Sequence, residues 1–501
     1  MNDAVLPAAW NGLALVFSWP NVLYPVLGTI VAMYFAMLPG LSGITLMALA
    51  IPLTYTWQPV PVVLLFGAFV GGATFMGSVT AILFNVPGMP TNAVTLLDGY
   101  PMAQAGRAKT ALACSAAASA LGSTVGILIL IVLIPIMRQA TLLFGPPELL
   151  MLTIWGLTTI AALSRGSTVK GLIAAGIGLL LSFVGQDPRT AELRFTFGLD
   201  YLRDGIDLTP VFLGLLALSE MISLMASGRT TISNHPESDA PAGGTWEGVR
   251  ALWTHFGLFL RSSIIGTAIG IIPGVGGTVA GFIAYQHAVQ SSGKDGGSFG
   301  KGDIRGVLAP EAAIDAKDGG SLVPLLAFGV PGSVGTAMLL VVLTIHGLTP
   351  GREMLSTQLP LVFALIGSLF LSNWLTSIFG FALIHPFTRL TTIRTHRVVP
   401  LLVVMALAGA YLQRGLFADV FVACALGCIG YWMKRHGWPR VPLVIALALG
   451  ALFENNLLLT LRLQELGRIS FFTRPVILLL AALCLVALAY PANARRRRRM
   501  A

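Results

Sequence analysis

Four Pro-Gly pairs interrupt apolar sequence in this chain, at Pro39-Gly40, Pro87-Gly88, Pro273-Gly274 and Pro331-Gly332. Proline deletes a helical hydrogen bond and glycine frees φ, so each pair predicts a helix that stops and restarts. A restarted helix offers unpaired N–H groups and the positive end of its dipole, which suit a carboxylate or phosphate. Anion binding of this kind needs no buried arginine. Small polar groups nearby can complete such a site. The candidate binding set is Pro39, Gly40, Ser42, Gly43, Thr45, Ser78, Thr80, Asn85, Pro87 and Gly88, with Thr91 beyond them. Its counterpart is Pro273, Gly274, Gly276, Gly277, Thr278, Ser321, Pro331, Gly332 and Ser333, with Thr336 beyond. Any single hydroxyl can equally bond its own helix backbone, and an isolated glycine such as Gly122 or Gly126 reads as a close-packing residue.

The breaks are duplicated. Gly28-Thr29 leads to Pro39-Gly40 as Gly266-Thr267 leads to Pro273-Gly274, and Gly77-Ser78 leads to Pro87-Gly88 as Gly320-Ser321 leads to Pro331-Gly332. Close helix packing requires neither proline nor duplication. Matched interruptions in two halves of a membrane protein point to a transported ligand.

The elements that hold these breaks must lie in lipid. Hydrophobic residues make up 55% of the 501 and charged ones only 10%, against about 25% charged in an average soluble domain. No Asp, Glu, Lys, Arg or His occurs from Ala4 to Leu97, a stretch several times the roughly 20 residues of one helical crossing. These runs lack the alternation of barrel strands, and backbone amides in hydrocarbon must be paired internally. The expected fold is an all-α polytopic membrane protein with about 12 transmembrane or re-entrant helices.

Residues 1–228 read as the first membrane half, 229–250 as a polar linker and 251–388 as the second half, with a polar insertion at about 291–318 taken as a loop on one membrane face. Residues 389–501 supply further spans and an Arg-rich tail placed in the cytoplasm by the positive-inside rule. The net charge of +10 is spread over loops and tail, which argues for topology and against nucleic acid. Cys424 and Cys428 share a helix face without further metal ligands, so packing is expected, with no cofactor.

Acidic residues near apolar segments are few. Glu220, Asp419 and Glu454 fall within or at the ends of spans, where ionisable groups are costly and often functional. Glu454 could hold a cation, or mark a span ending early. Glu311 and Asp315 are four apart and share a face on a helix, although a solvated loop face serves equally. Glu311, Asp315 and Glu454 are the ion-coupling candidates. Gly300-Lys301-Gly302-Asp303 matches the Gly-x-Gly-Asp string of intramembrane aspartyl proteases, but it sits in polar sequence. A phosphate-binding loop is missing too. An enzyme is therefore not expected.

The motifs in order resemble the TctA family, the large membrane subunit of the tripartite tricarboxylate transporters. The matching pieces are Pro39 to Gly43, Asn85 to Pro90, Asp98 to Ala103 with Gly106, Pro273 to Gly277, Ala309 to Ala313, Gly319 to Ser321, Gly329 to Ser333 and His346 to Gly351. The resemblance implies a multi-pass protein of the bacterial inner membrane that imports a di- or tricarboxylate by symport with a cation, Na+ or H+. It also implies a periplasmic substrate-binding protein and a small membrane subunit as partners, and two halves of inverted topology. The chain departs from the family at Arg305, where Glu is usual, and at Ile314-Asp315, where Asn-Asn is usual. A membrane-embedded enzyme, an anion channel and a scaffold subunit are the competing readings.

Overall fold

The computed structural model describes residues 5–37, 42–162, 168–187, 190–226, 244–382, 395–467 and 474–500. Within them the chain is helical apart from turns and one two-residue strand pair. The first helices are α1 (Val5–Phe17), α2 (Leu23–Met37), α3 (Gly43–Thr54), α4 (Pro59–Gly72), α5 (Thr74–Phe84) and α6 (Leu96–Gln104). The 36-residue α7 (Ala108–Leu143) follows, then α8 (Pro146–Ala162), α9 (Thr168–Ser182), α10 (Leu208–Phe212) and α11 (Ser219–Ala226). The remaining helices are α12 (Thr245–Thr254), α13 (Phe256–Ile271), α14 (Gly276–Ser291), α15 (Arg305–Phe328), α16 (Val334–Ile345), α17 (Leu359–Ala382), α18 (Thr395–Arg414), α19 (Phe417–Arg435), α20 (Val441–Glu465) and α21 (Pro475–Met500).

Among the described residues, 6 helices are long and apolar enough to cross a membrane, counting α4 with α5 and α10 with α11 as single stretches, and shorter apolar helices accompany them. The outward side chains fit a lipid surround. On α7, Leu128, Val132 and Ile136 recur every fourth residue and are 56%, 69% and 58% exposed. Such a stripe is stable only against hydrocarbon or a partner chain.

The interior of the bundle is built around α15. A Cβ added to Gly122 or Gly126 of α7 would lie 2.5 or 2.2 Å from the carbonyl oxygens of Ala312 and Ala316. On the other side, Gly266 and Gly270 of α13 press equally closely on Ala313 and Lys317. Small residues four apart let three backbones meet, and the dispersion contacts so gained replace the hydrophobic drive that is missing in lipid. This corrects one expectation. Residues 305–318, read as part of a polar loop, form the first half of the buried helix α15.

The duplication in sequence is matched by packing. Gly88 sits against the carbonyl of Ala36 and the Cα of Gly77, and Gly332 sits against the carbonyl of Gly270 and the Cα of Ser321. Ala36 and Gly270 each stand three residues before the proline of the first Pro-Gly pair of their half. In both halves, then, the second break closes on the helix that precedes the first.

The remaining polar insertion is anchored by Asp98. Its fully buried carboxylate accepts hydrogen bonds from the backbone N–H groups of Gly300, Gly302 and Asp303 at 2.8, 2.9 and 2.8 Å, and from the Tyr285 hydroxyl at 2.8 Å. The Gly-Lys-Gly-Asp string is thus a docked turn. Hydrogen bonds to a charged group contribute about 1.5–3 kcal/mol each, so Asp98→Ala will release the turn. Tryptic cleavage at Lys301, followed by mass spectrometry, should accelerate at least tenfold in this variant; unchanged cleavage would show that the anchor is dispensable.

Candidate functional site

A cavity of about 690 Å³ opens where the interrupted helices converge. Three restarted helices begin at its wall: α3 through Ser42 and Gly43, α14 through Gly276 to Thr278, and α16 through Ser333 and Val334. Their starts are locally encoded. Ser42 accepts from the N–H of Thr45 at the head of α3, and Ser333 accepts from the N–H of Thr336 at the head of α16. At Ser333 the bond is reciprocated, its own N–H donating to the Thr336 hydroxyl at 2.8 Å. These are capping interactions that fix where a helix restarts. At α14 no side chain caps the helix, and the chain turns through left-handed Gly274 and Gly276, with φ of 76° and 71°. The N–H of Gly274 donates to the carbonyl of Gly332 at 3.1 Å, tying the two breaks of the second half together.

Sequence reasoning missed the charges of the cavity. Lys317 and Asp318 of α15 line it and are hydrogen-bonded to each other. Gly277 makes room for the lysine, because a Cβ there would be 3.1 Å from Lys317 Cε and 2.9 Å from Thr91 Cγ2. The cavity is also lined by Lys434 and Arg440, each 2.6 Å from the Glu220 carboxylate. Three cations face two carboxylates, which leaves one excess positive charge beside three helix N-termini. A buried cation, Lys317, thus stands beside the helix ends.

The candidate residues divide clearly. Ser42, Gly43, Thr91, Gly274, Gly276, Gly277, Thr278 and Ser333 line the cavity. Pro273, Thr45, Pro331, Gly332 and Ser321 do not line it; the Ser321 hydroxyl donates to the carbonyl of Asp318 at 3.0 Å. Ser78 and Thr80 point elsewhere, Ser78 donating to Glu311 and Thr80 to the carbonyl of Gly77. Asn85 closes α5 in a left-handed conformation at φ 54°, and Pro87 and Gly88 form the packed turn that follows. Pro39 and Gly40 lie outside the described residues, as does most of the 229–250 linker.

The three ion-coupling candidates separate as well. Glu311 is fully buried and accepts from the hydroxyls of Ser78 at 2.7 Å, Ser115 at 2.8 Å and Thr95. Asp315 accepts from Ser119 at 2.5 Å in the same α7–α15 seam. Glu454 is bound to Arg194 at 2.6 Å and does not border the cavity. One signal for Asp318 was available in the sequence: Glu311, Asp315 and Asp318 are spaced i, i+4, i+7, a single helix face.

Residues 22–445 match the family model described as the tripartite tricarboxylate transporter TctA family. A 52.8 kDa uncharacterized protein in the TAR-I ttuC' 3' region of Agrobacterium vitis is 32% identical over 485 residues, 95% of each chain. An uncharacterized protein in the TAR-II ttuC' 3' region of the same organism is 31% identical over 221 residues, 44% of this chain and 91% of its own length. No solved structure matches the chain.

Proposed function

Because the chain belongs to the tripartite tricarboxylate transporter TctA family, we propose that it is the subunit through which a di- or tricarboxylate crosses the bacterial inner membrane. The observation that carries this reading is the meeting of three helix N-termini with Lys317 in one cavity. One carboxylate of the substrate sits at Lys317 and the half-helix ends; a second reaches Lys434 or Arg440 once Glu220 yields. Substrate enters from a periplasmic binding protein, a small membrane subunit accompanies the permease, and a cation gradient, Na+ or H+, drives accumulation. The duplicated packing of the Pro-Gly breaks supports two halves of inverted topology that rock about the site.

The purified chain in lipid nanodiscs should bind [14C]citrate or [14C]succinate in a scintillation proximity assay, with unlabelled citrate competing and acetate, which has one carboxylate, competing at least tenfold less well. Equal competition by acetate, or no binding of either tracer, would remove the basis for a polycarboxylate site. Proteoliposomes that pass substrate at a rate indifferent to every imposed cation gradient would favour the channel.

A further inference from the structure

In the seam between α7 and α15, buried oxygens stand without partners. Asp315 Oδ1, Asp318 Oδ2 and Ser123 Oγ make no hydrogen bond and are shielded from solvent. Buried polar atoms are normally satisfied, so an orphan of this kind calls for an explanation. Here three occur within one stretch of one interface. Ser115 bonds Glu311 and Ser119 bonds Asp315, so the two helices run in the same direction, and Ser123 and Asp318 each follow about one turn further along their own helix. Asp315 and Asp318 stand three residues apart on α15, so their side chains share one side of the helix. Against three buried carboxylates, Glu311, Asp315 and Asp318, α15 offers a single buried cation, Lys317. Uncompensated charge at this depth is costly.

We propose that Asp315 and Asp318, with Ser119 and Ser123, bind a dehydrated Na+ ion in the α7–α15 seam. The free donors are all oxygens, the ligand class of hard cations. Among the described residues no three His, Cys, Asp or Glu side chains form a metal-holding group, and two carboxylates with hydroxyls suit a monovalent ion. The site deepens the carboxylate-carrier reading and rests on it for its consequence. Asp318 also lines the cavity and holds Lys317. A cation at Asp318 competes with the Lys317 ammonium and frees it to meet the substrate carboxylate. Na+ and carboxylate then bind with positive coupling, which must be reciprocal.

The test uses the full chain in nanodiscs, with 22Na+ and [14C]citrate as probes and choline chloride holding ionic strength. Wild type should bind 22Na+, its melting midpoint should rise with NaCl and not with choline chloride, and Na+ should tighten citrate at least tenfold. Asp315→Asn should lose 22Na+ binding at least tenfold. Asp318→Asn should lose it too, yet bind citrate without Na+ as tightly as wild type does with it, because Lys317 is already free. A merely structural role for Asp318 would not give that gain, and a variant that failed to fold could not. Wild type that binds no 22Na+, including one whose citrate binding follows pH instead, overturns the site, as do variants that bind 22Na+ like wild type. If 22Na+ binds as described and no carboxylate does, the cation site stands and the carrier reading falls.

Discussion

Lys317→Met is expected to lower citrate affinity at least 100-fold in saturating NaCl, the largest effect of any single substitution in the cavity. The lysine is 9% exposed and is the cation that stands among the restarted helices. Truncating one partner of a buried charge pair costs about 2–5 kcal/mol in binding, and 100-fold is about 2.7 kcal/mol. The substitution has a second consequence that must be separated from the first. It strips Asp318 of its partner, and an uncompensated buried charge lowers stability by about 3–5 kcal/mol. Without NaCl, Lys317→Met should therefore melt well below wild type. Adding Asp318→Asn removes the stranded charge, so the double variant should recover most of the melting midpoint and none of the citrate affinity. Binding that recovers along with stability would mean that Lys317 only keeps the helix folded.

Gly274→Ala should prevent accumulation of folded protein, whereas Gly276→Ala should be tolerated, although both glycines are left-handed and two residues apart. The left-handed region costs an L-residue roughly 1–2 kcal/mol, and both variants carry that cost. The surroundings differ. A Cβ on Gly274 would lie 2.0 Å from Ile160 Cγ1 and 2.8 Å from the Ile160 backbone, while Gly276 has nothing within 4 Å. Overpacking against fixed backbone adds about 1–3 kcal/mol or more, enough in sum to threaten a marginal fold. Fluorescence-detected size-exclusion of detergent extracts distinguishes them: a sharp peak for Gly274→Ala equal to that of Gly276→Ala would contradict the packing argument. Gly88 and Gly332 resemble Gly274 in pressing on backbone, so loss of uptake on bulky replacement there reports on the fold before it reports on substrate. Gly277 is a cleaner probe of the site, since its nearest atoms are side chains of Lys317 and Thr91.

The division between what could be read early and what could not follows the range of the interactions. Proline and glycine act on the backbone within one turn, and Ser42 and Ser333 cap helices three residues ahead. The helix starts at Gly43 and Val334 were therefore legible in sequence, as was residence in lipid, which depends on composition alone. The family followed from the same motifs. Glu311 is different. Its partners are Ser78, Thr95 and Ser115, each about 200 residues away, and no local pattern announces them.

The polar stretch that contains Glu311, Asp315, Lys317 and Asp318 looked like loop because exposed polar helix and buried polar helix have the same residues. Only the small-residue faces of α7 and α13, closing on both sides, put it in the interior. Lys434 and Arg440 looked like topology signals at a span end, and only the approach of Glu220 from α11 makes them a cavity wall. The sequence by itself determined that this protein is an α-helical membrane bundle with interrupted helices. Tertiary structure alone decided which charges share that cavity, because whether a charge is solvated or buried depends on helices brought to it from distant parts of the chain.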